Sequence, residues 1–352
     1  MASGKIGWGV IGACGIAKRR TIPEGICAAS NAQLVAVTDV NAEGSKEVAK
    51  QFGAKHCASV AAVLRNPDVQ AVYIATPNNL HKKFVTAAAR SGKHVLCEKP
   101  LAIKTADIAK MIATCKDAKV LFGVGFMMRF NAYHQKLKAM IQDGTFGTPI
   151  MARGQMTCWY PPMPNAWRQV PELGGGGSLV DMGSHVVDVF EMFFGKTKSV
   201  YCRTANRVQT YSVEETAILV LEFESGVPAI VDVSFGIPDE ASEFVIEVYG
   251  SKGAVKGKYS LAQGPGGDMR ACILGGMKGY DAQQNNQAKG GYQPWELPTK
   301  NTYLSEIESF SQAILDGKPA PVPAEDGLWN HAVMEAAYKS AKTGKAITPK
   351  LK

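Results

Sequence analysis

Ile6-Gly7-Trp8-Gly9-Val10-Ile11-Gly12-Ala13-Cys14-Gly15-Ile16-Ala17 starts as an apolar strand and breaks on glycine. Two glycine registers compete within it. Gly7–Gly12 spells G-x-G-x-x-G literally, but it lies inside the strand, whereas a phosphate-cradling loop must follow the strand and open a helix. The register one turn on, Gly12 to Ala17, meets that requirement. Gly12 makes the turn out of the strand, and Ala17 takes the third position, where a small side chain permits close helix–strand packing. Cys14 stands where a second glycine is usual, and Gly15 beside it supplies the close backbone approach to a pyrophosphate. Gly12, Cys14, Gly15 and Ile16 are therefore the candidate phosphate contacts, backed by the N–H groups of the following helix. The strand Leu34-Val35-Ala36-Val37-Thr38-Asp39 ends in an acid 22 residues after Ala17. An aspartate at about that distance accepts hydrogen bonds from an adenosine ribose; the competing reading of Asp39 is a turn or cap ahead of the next helix.

The pattern of that opening repeats through residues 1–125. Strand-like runs at Ile6–Ile11, Leu34–Val37, Val69–Ile74, Val95–Leu96 and Val120–Val124 alternate with Ala-rich amphipathic stretches near 43–52, 80–91 and 105–118. Such alternation predicts a parallel sheet with crossover helices, an α/β unit whose strands are buried on both faces. After about residue 125 the pattern changes. A helix is expected near 131–143, a strand at 149–158, and a helix over 178–194 behind the run Gly174–Gly177. Strands follow near 198–208, 215–223, 228–235 and 243–249. The alternation of Ile218-Leu219-Val220-Leu221-Glu222-Phe223 predicts an antiparallel sheet with one more polar face, hence an α+β second domain over 126–352. Residues 260–300 read as a long Gly-rich loop of the lid, binding-loop or oligomer-contact kind. Helices near 303–316 and 325–343 finish the chain.

Composition narrows the function classes. A chain of 352 residues with 46% hydrophobic and 20% charged residues is long enough for about two globular domains. No run approaches the roughly 20 apolar residues of a membrane span, and Met1–Lys5 shows no signal-peptide pattern. Eight cysteines without C-x-x-C spacing read as free thiols in a reducing cytoplasm. The net charge of +8 arises in the first 125 residues, which carry 17 Lys/Arg against 8 Asp/Glu. It forms no basic run longer than Lys18-Arg19-Arg20, so neither nucleic acid nor a membrane is the expected partner.

Two further segments lie at carboxyl ends of strands, where open α/β sheets bind ligands: Thr76-Pro77-Asn78-Asn79-Leu80-His81 and Lys93-His94-Val95-Leu96-Cys97-Glu98-Lys99-Pro100. Downstream stand Trp167-Arg168 and Gly175-Gly176-Gly177-Ser178-Leu179-Val180-Asp181-Met182-Gly183-Ser184-His185. The order of these pieces resembles the glucose–fructose oxidoreductase/inositol dehydrogenase/MocA (Gfo/Idh/MocA) family, over essentially the whole chain. The resemblance implies an N-terminal Rossmann domain and a C-terminal domain with an open, mostly antiparallel sheet, with a nicotinamide cofactor between them. It assigns Lys99, Asp181 and His185 as the catalytic group and places the loop of Thr76, Pro77, Asn79 and His81 near the nicotinamide ribose, with Glu98 beside Lys99. Arg129, Trp167 and Arg168 stand at positions that border the cofactor or substrate pocket. It also implies pairing of subunits through the second sheet, as a homodimer or homotetramer.

The chemistry of these residues points the same way. Oxidising a secondary alcohol removes a hydride and a proton, and histidine titrates in the range such a base needs. Asp181 and His185, four apart, share one face of a helix. The Lys99 ammonium can hydrogen-bond the reacting oxygen and favour a developing alkoxide. No third ligand joins Asp181 and His185, so no metal is expected. Trp159, Tyr160 and Trp167 offer flat apolar faces, and Arg129, Asn165 and Arg168 offer hydrogen bonds, for a ring-shaped polyol. Blander readings stand beside these. Trp159 and Tyr160 can pack under Pro161-Pro162, His81 can cap its helix, and Cys14 can be packing or a thiol made reactive by the helix start. The expectation is an NAD-dependent dehydrogenase of a sugar, glycoside or cyclic polyol. The alternatives are a glycosidase that oxidises its substrate transiently, a keto-acid enzyme, and a non-enzymatic sensor.

Overall fold

The computed structural model describes residues 4–276, 279–285 and 291–351. Met1–Ser3 and parts of the 260–300 stretch therefore lie outside the described residues. The β-branched runs of the first third form a six-stranded parallel sheet: β1 (Ile6–Ile11), β2 (Ala32–Thr38), β3 (Lys55–His56), β4 (Ala71–Ile74), β5 (His94–Glu98) and β6 (Phe122–Gly125), in the order β3-β2-β1-β4-β5-β6. Every residue of β1 and β4 is buried, as parallel strands covered on both faces require. The covering helices are α1 (Ala42–Phe52), α2 (Val60–Leu64), α3 (Asn78–Arg90) and α4 (Thr105–Asp117), with a π-helical segment at Ala17–Ile26. Local chemistry sets their ends. Asn41 Oδ1 accepts from Gly44 N to cap α1, and Gly53, left-handed, ends it. The order of strands reverses between β1 and β4, which leaves a crevice at their carboxyl ends, and the glycine loop opens into it.

The second sheet has eight strands: β7 (Pro149–Thr157), β8 (Thr197–Ala205), β9 (Thr216–Phe223), β10 (Pro228–Ser234), β11 (Ile246–Gly250), β12 (Gly253–Lys258), β13 (Asp268–Ile273) and β14 (Gln293–Pro294). Its order is β14-β13-β12-β11-β7-β10-β9-β8, and β7 with β10 is the parallel pair among antiparallel neighbours. Alternation does here what it predicts: Ala217, Leu219, Leu221 and Phe223 are buried on one face, while Ile218 and Val220 stand about half exposed on the other. The inner face packs against α5 (Ala132–Gln142) and α7 (Ser184–Phe194), with Phe190 and Phe194 against Phe223, while the short α6 (Pro171–Gly174) sits against α3. Burying each such side chain is worth roughly 1.5–3 kcal/mol.

Three expectations change. Residues 260–300 are not loop throughout, since β13 and β14 extend the sheet; their short polar stretches lack a readable period. The helix read over 178–194 begins in π geometry at Leu179–Gly183 and turns α at Ser184. The helix read from 80 starts at Asn78, because Pro77 pre-sets the backbone for a helix start.

The last two helices, α8 (Thr302–Asp316) and α9 (Ala324–Thr343), tie the halves together. Phe310 packs on Trp8 of β1, and Trp8 Nε1 donates to Ser311 Oγ at 3.1 Å. On α9, Trp329 Nε1 donates to Glu191 Oε1 of α7 at 2.9 Å, and Thr197 adds two further donors to the same carboxyl. No helix among the described residues is long and apolar enough to cross a membrane.

Burial pushes the Glu191 carboxyl up from its ordinary 4.5 to about 7, against the pull of its hydrogen bonds. An acid with a raised folded pKa holds its proton more tightly in the folded state. Its contribution to stability is complete below its unfolded pKa and is lost as pH rises through about 7. We therefore expect urea unfolding to show wild-type stability falling between about pH 5 and about pH 8. Glu191→Gln, which cannot ionise, should lose on the order of 2–3 kcal/mol less over that interval. Equal losses in the two proteins would show that Glu191 does not titrate there.

Candidate active site

The site is built where the glycine loop of the first sheet faces the helix start of the second unit. Gly12 leaves β1 at φ +90°, and a Cβ there would lie 2.6 Å from the Ala75 carbonyl, so this turn admits only glycine. The Asp39 carboxylate then fixes the loop. Its Oδ2 accepts from Cys14 N at 2.9 Å and its Oδ1 from Asn41 N at 3.0 Å. Asp39 is thus a loop anchor as well as the acid at the end of β2. At Gly15 an added Cβ would meet no protein atom within 4 Å, and Gly15 and Ile16 line the cleft. No side chain caps the following π-helical segment. An unobstructed glycine and uncapped helix amides are what a pyrophosphate requires. Of the two readings of the Cys14 thiol, packing is the one that fits: burial and the neighbouring Asp39 push it up to about 11, against a thiol made reactive by the helix start.

A cleft of about 700 Å³ runs from this loop to the second unit. Across it, the structure brings Lys99, Asp181 and His185 together. Lys99 directly follows β5, ahead of a cis bond to Pro100, and is nearly buried. Its Nζ donates to the Asp181 carbonyl at 2.6 Å and to Asp181 Oδ1 at 3.1 Å. Arg168 Nε donates to the same oxygen at 3.3 Å, and its guanidinium lies 4.3 Å over the Trp167 ring. Burial alone would raise the Asp181 carboxyl, but Lys99 and Arg168 outweigh it and hold the group well below the usual carboxylate range. Burial, and then the Lys99 charge, depress His185 well below its ordinary value. The imidazole is therefore neutral, in proton-accepting form, rather than poised near neutrality as expected from its type. Its Nδ1 is buried without a partner, and Phe126 meets the ring edge-on at 6.1 Å.

Glu98 also lines the cleft and braces Lys99, whose N–H it accepts at 3.2 Å, while Tyr73 donates its hydroxyl hydrogen to the other carboxylate oxygen. Burial raises this carboxyl. Thr76, Trp167 and Arg168 line the same cleft.

Other expected residues fall outside it. His81 is fully buried, with Nδ1 3.0 Å from the Pro100 carbonyl and Nε2 2.8 Å from that of Thr76; burial pulls it down to about 4. It packs between the two loops and does not face the cleft. Asn79 points to solvent, and the cleft is lined by its neighbour Asn78, which donates to the Gly174 carbonyl at 2.7 Å; the first turn of α3 turns that face inward. Pro77 occupies the cap position of α3. Arg129 is a structural ion: Nε and Nη2 grip the buried Asp188, and Nη1 donates to Asp326 of α9 at 2.6 Å. Trp159 is 42% exposed with its N–H on Asp239, and Asn165 sits exposed in a turn at φ +61°. Tyr160 packs on Phe235 at 5.0 Å, yet its hydroxyl accepts a hydrogen bond from Arg168 beside Asp181, so it stays at the edge of the site. Two causes lie behind these differences: neighbours on a turn, such as Asn78 and Asn79, point in opposite directions, and partners far along the chain, such as Asp188 and Asp326 for Arg129, claim a side chain for the fold.

Several lining residues carried no sequence signal. Met127, Met128, Met156, Met182 and Phe244 form an apolar wall, and Arg19 and Arg20 flank the glycine loop. Leu261–Gly264, part of the stretch read as a binding loop or lid, completes the rim, and Gln263 Oε1 accepts from Arg20 Nε at 3.4 Å.

Comparisons with known proteins agree with this architecture. Residues 6–126 match the family described as "Oxidoreductase family, NAD-binding Rossmann fold", and residues 134–256 match the "GFO/IDH/MocA C-terminal domain". The chain is 31% identical over 342 residues to 1,5-anhydro-D-fructose reductase of Ensifer adhaerens, covering 96% of this chain and 97% of that one. It is 28% identical to D-xylose 1-dehydrogenase (NADP(+)) 2 of Haloferax volcanii, covering 97% and 98%. The crystal structure of aldose-aldose oxidoreductase from Caulobacter crescentus, complexed with glycerol, superposes with a TM-score of 0.85 at 29% identity, over 98% of this chain and 99% of that one. With both sheets, the glycine loop and the cleft between them accounted for, the chain belongs to the Gfo/Idh/MocA family of oxidoreductases.

Proposed function

We propose that this protein is an NAD-dependent dehydrogenase that oxidises a secondary hydroxyl of a sugar, glycoside or cyclic polyol. The observation that carries the reading is the convergence of Lys99, Asp181 and His185 on a cleft that begins at the glycine loop. A bound nicotinamide supplies the hydride acceptor. Gly15 and Ile16 at the helix start would hold its pyrophosphate, with Gly12 and Cys14 shaping the loop that presents them; Asp39 would receive its adenosine ribose, and Thr76, Glu98 and Trp167 would hold its nicotinamide end. On the substrate, Lys99 donates to the reacting oxygen and stabilises negative charge as it develops there. Neutral His185 takes the hydroxyl proton. Asp181, kept anionic by two cations, orients Lys99 and offers an acceptor to a neighbouring hydroxyl. The Arg168 guanidinium, stacked on Trp167 and lining the cleft, serves hydroxyls beyond the reacting carbon. All eight cysteines are free, which supports a reducing, cytoplasmic setting.

Turnover tests the catalytic assignment. In an assay of NADH formation against polyols, free sugars and glycosides, Lys99→Met and His185→Ala should each lower kcat by about 10²–10⁴ while NAD affinity, measured by fluorescence titration, changes little. A His185→Ala enzyme retaining more than about a tenth of the rate would remove His185 from the role of base.

Cofactor choice tests Asp39. A 2′-phosphate there would face a carboxylate whose oxygens already hold the loop, with Val40 and Asn41 following instead of an arginine. Although one relative's name specifies NADP, we expect kcat/KM to favour NAD by at least about tenfold here. Comparable efficiency with NADP would refute this.

Pairing of subunits through the outer face of the second sheet accounts for Ile218, Val220 and Ile230, which are 49%, 48% and 38% exposed there. Light scattering at micromolar concentration should give a dimer or tetramer, and Ile218→Asp with Val220→Asp should lower the mass. A monomeric wild type would contradict the assignment.

A further inference from the structure

The helix that carries Asp181 and His185 starts in an unusual way. Ser178 stands at its cap position, and serine is a common capping residue. Yet Ser178 makes no capping bond, and its Oγ is buried without a partner. The first amides go instead to Glu214, which precedes β9. Gly177 N donates to Oε1 at 3.0 Å and to Oε2 at 3.1 Å, Leu179 N to Oε1 at 3.0 Å, and Ser178 N to the Glu214 carbonyl at 3.1 Å. Tyr338 of α9 donates its hydroxyl hydrogen to Oε1 at 2.9 Å. The glycine run exists to allow this. A Cβ on Gly177 would lie 2.0 Å from the Glu214 carbonyl oxygen, and one on Gly176 1.9 Å from the Tyr338 hydroxyl. Glu214 thus takes three consecutive amides, two on its carboxylate and one on its backbone carbonyl, and the carboxylate also meets the positive end of the helix dipole.

This grip reaches the reacting groups through the main chain. Lys99 Nζ bonds the backbone carbonyl of Asp181, in the first turn beyond Leu179, as well as its carboxylate. Any axial or rotational slip of that turn displaces the acceptor of Lys99 and carries His185 with it. We infer that Glu214 is a positioning residue for the reaction, holding the Asp181–His185 helix in the register that Lys99 requires without itself touching substrate. The inference rests on the dehydrogenase reading for its kinetic consequence but not for its structural one.

The test compares Glu214→Ala with Glu214→Gln, which keeps an oxygen to accept from the amides. Glu214→Ala should lower kcat by about 10- to 100-fold, the scale set by an ångström-sized misplacement, with KM for NAD within about twofold of wild type. Glu214→Gln should recover kcat to within about threefold of wild type. Hydrogen exchange of the 177–185 segment is read on the same proteins: protection is lost in Glu214→Ala and kept in Glu214→Gln. A folded Glu214→Ala enzyme with wild-type kcat, or a Gln variant no better than Ala, overturns the inference. If Glu214→Ala does not fold, Tyr338→Phe, which removes one bond to the carboxylate, should still lower kcat about threefold and raise exchange at 177–185; no change in either overturns it. Wild-type protein that turns over no polyol, sugar or glycoside counts against the dehydrogenase reading alone. Exchange then decides the grip, and unchanged protection in the Ala variant, or in Tyr338→Phe where Ala does not fold, refutes it.

Discussion

The contact between the Lys99 ammonium and Asp181 joins the two halves of the molecule at the point where they must act together. Lys99 directly follows a parallel strand, and Asp181 belongs to the first turn of a helix packed beneath an antiparallel sheet. Neither ion could be buried there alone, since an unpaired charge in such a place costs several kcal/mol. Together with Arg168 they form a small charged cluster whose carboxylate stays ionised despite burial. Burial first, and then the Lys99 charge, keep His185 uncharged. The Lys99–Asp181 contact thus bears on the protonation state of the groups beside it.

The rest of the second unit holds the partner helix in place. Phe190 and Phe194 seat it on the sheet, Glu214 and Tyr338 secure its start, and Asn330 of α9 donates to the Ser184 carbonyl midway along. Arg129 does comparable work farther from the cleft, clamping Asp188 on the same helix to Asp326 on α9. Burial raises the Asp188 carboxyl to about 6 even with that guanidinium beside it. Two arginines of similar standing in the sequence therefore end in different roles. Arg168 lines the cleft, while Arg129 spends its donors on carboxylates within the fold.

On the first sheet, Asp39 anchors the glycine loop through two backbone amides. A carboxylate has about four acceptor positions, so this anchoring leaves room for the ribose contact we propose for it.

What the sequence determined by itself was whatever repeats with a period or depends on a single residue's backbone. The parallel sheet, the alternation along Ile218–Phe223, the turn at Gly12 and the helix of Asp181 and His185 are legible because burial and local geometry impose them residue by residue. The tertiary structure decided which side chains at those places share a space. It turned Asn78 inward and Asn79 outward, closed His81 between two carbonyls, and drew Arg129 into the core. It also assembled a methionine wall from separate segments and brought Glu214 to a helix that already had a serine at its start. Each outcome depends on the direction of a bond vector or on a partner far along the chain, and a linear pattern encodes neither. The acidity of Cys14 and His185 belongs to the same class, because it follows from burial and neighbouring charge, which exist only once the chain has folded.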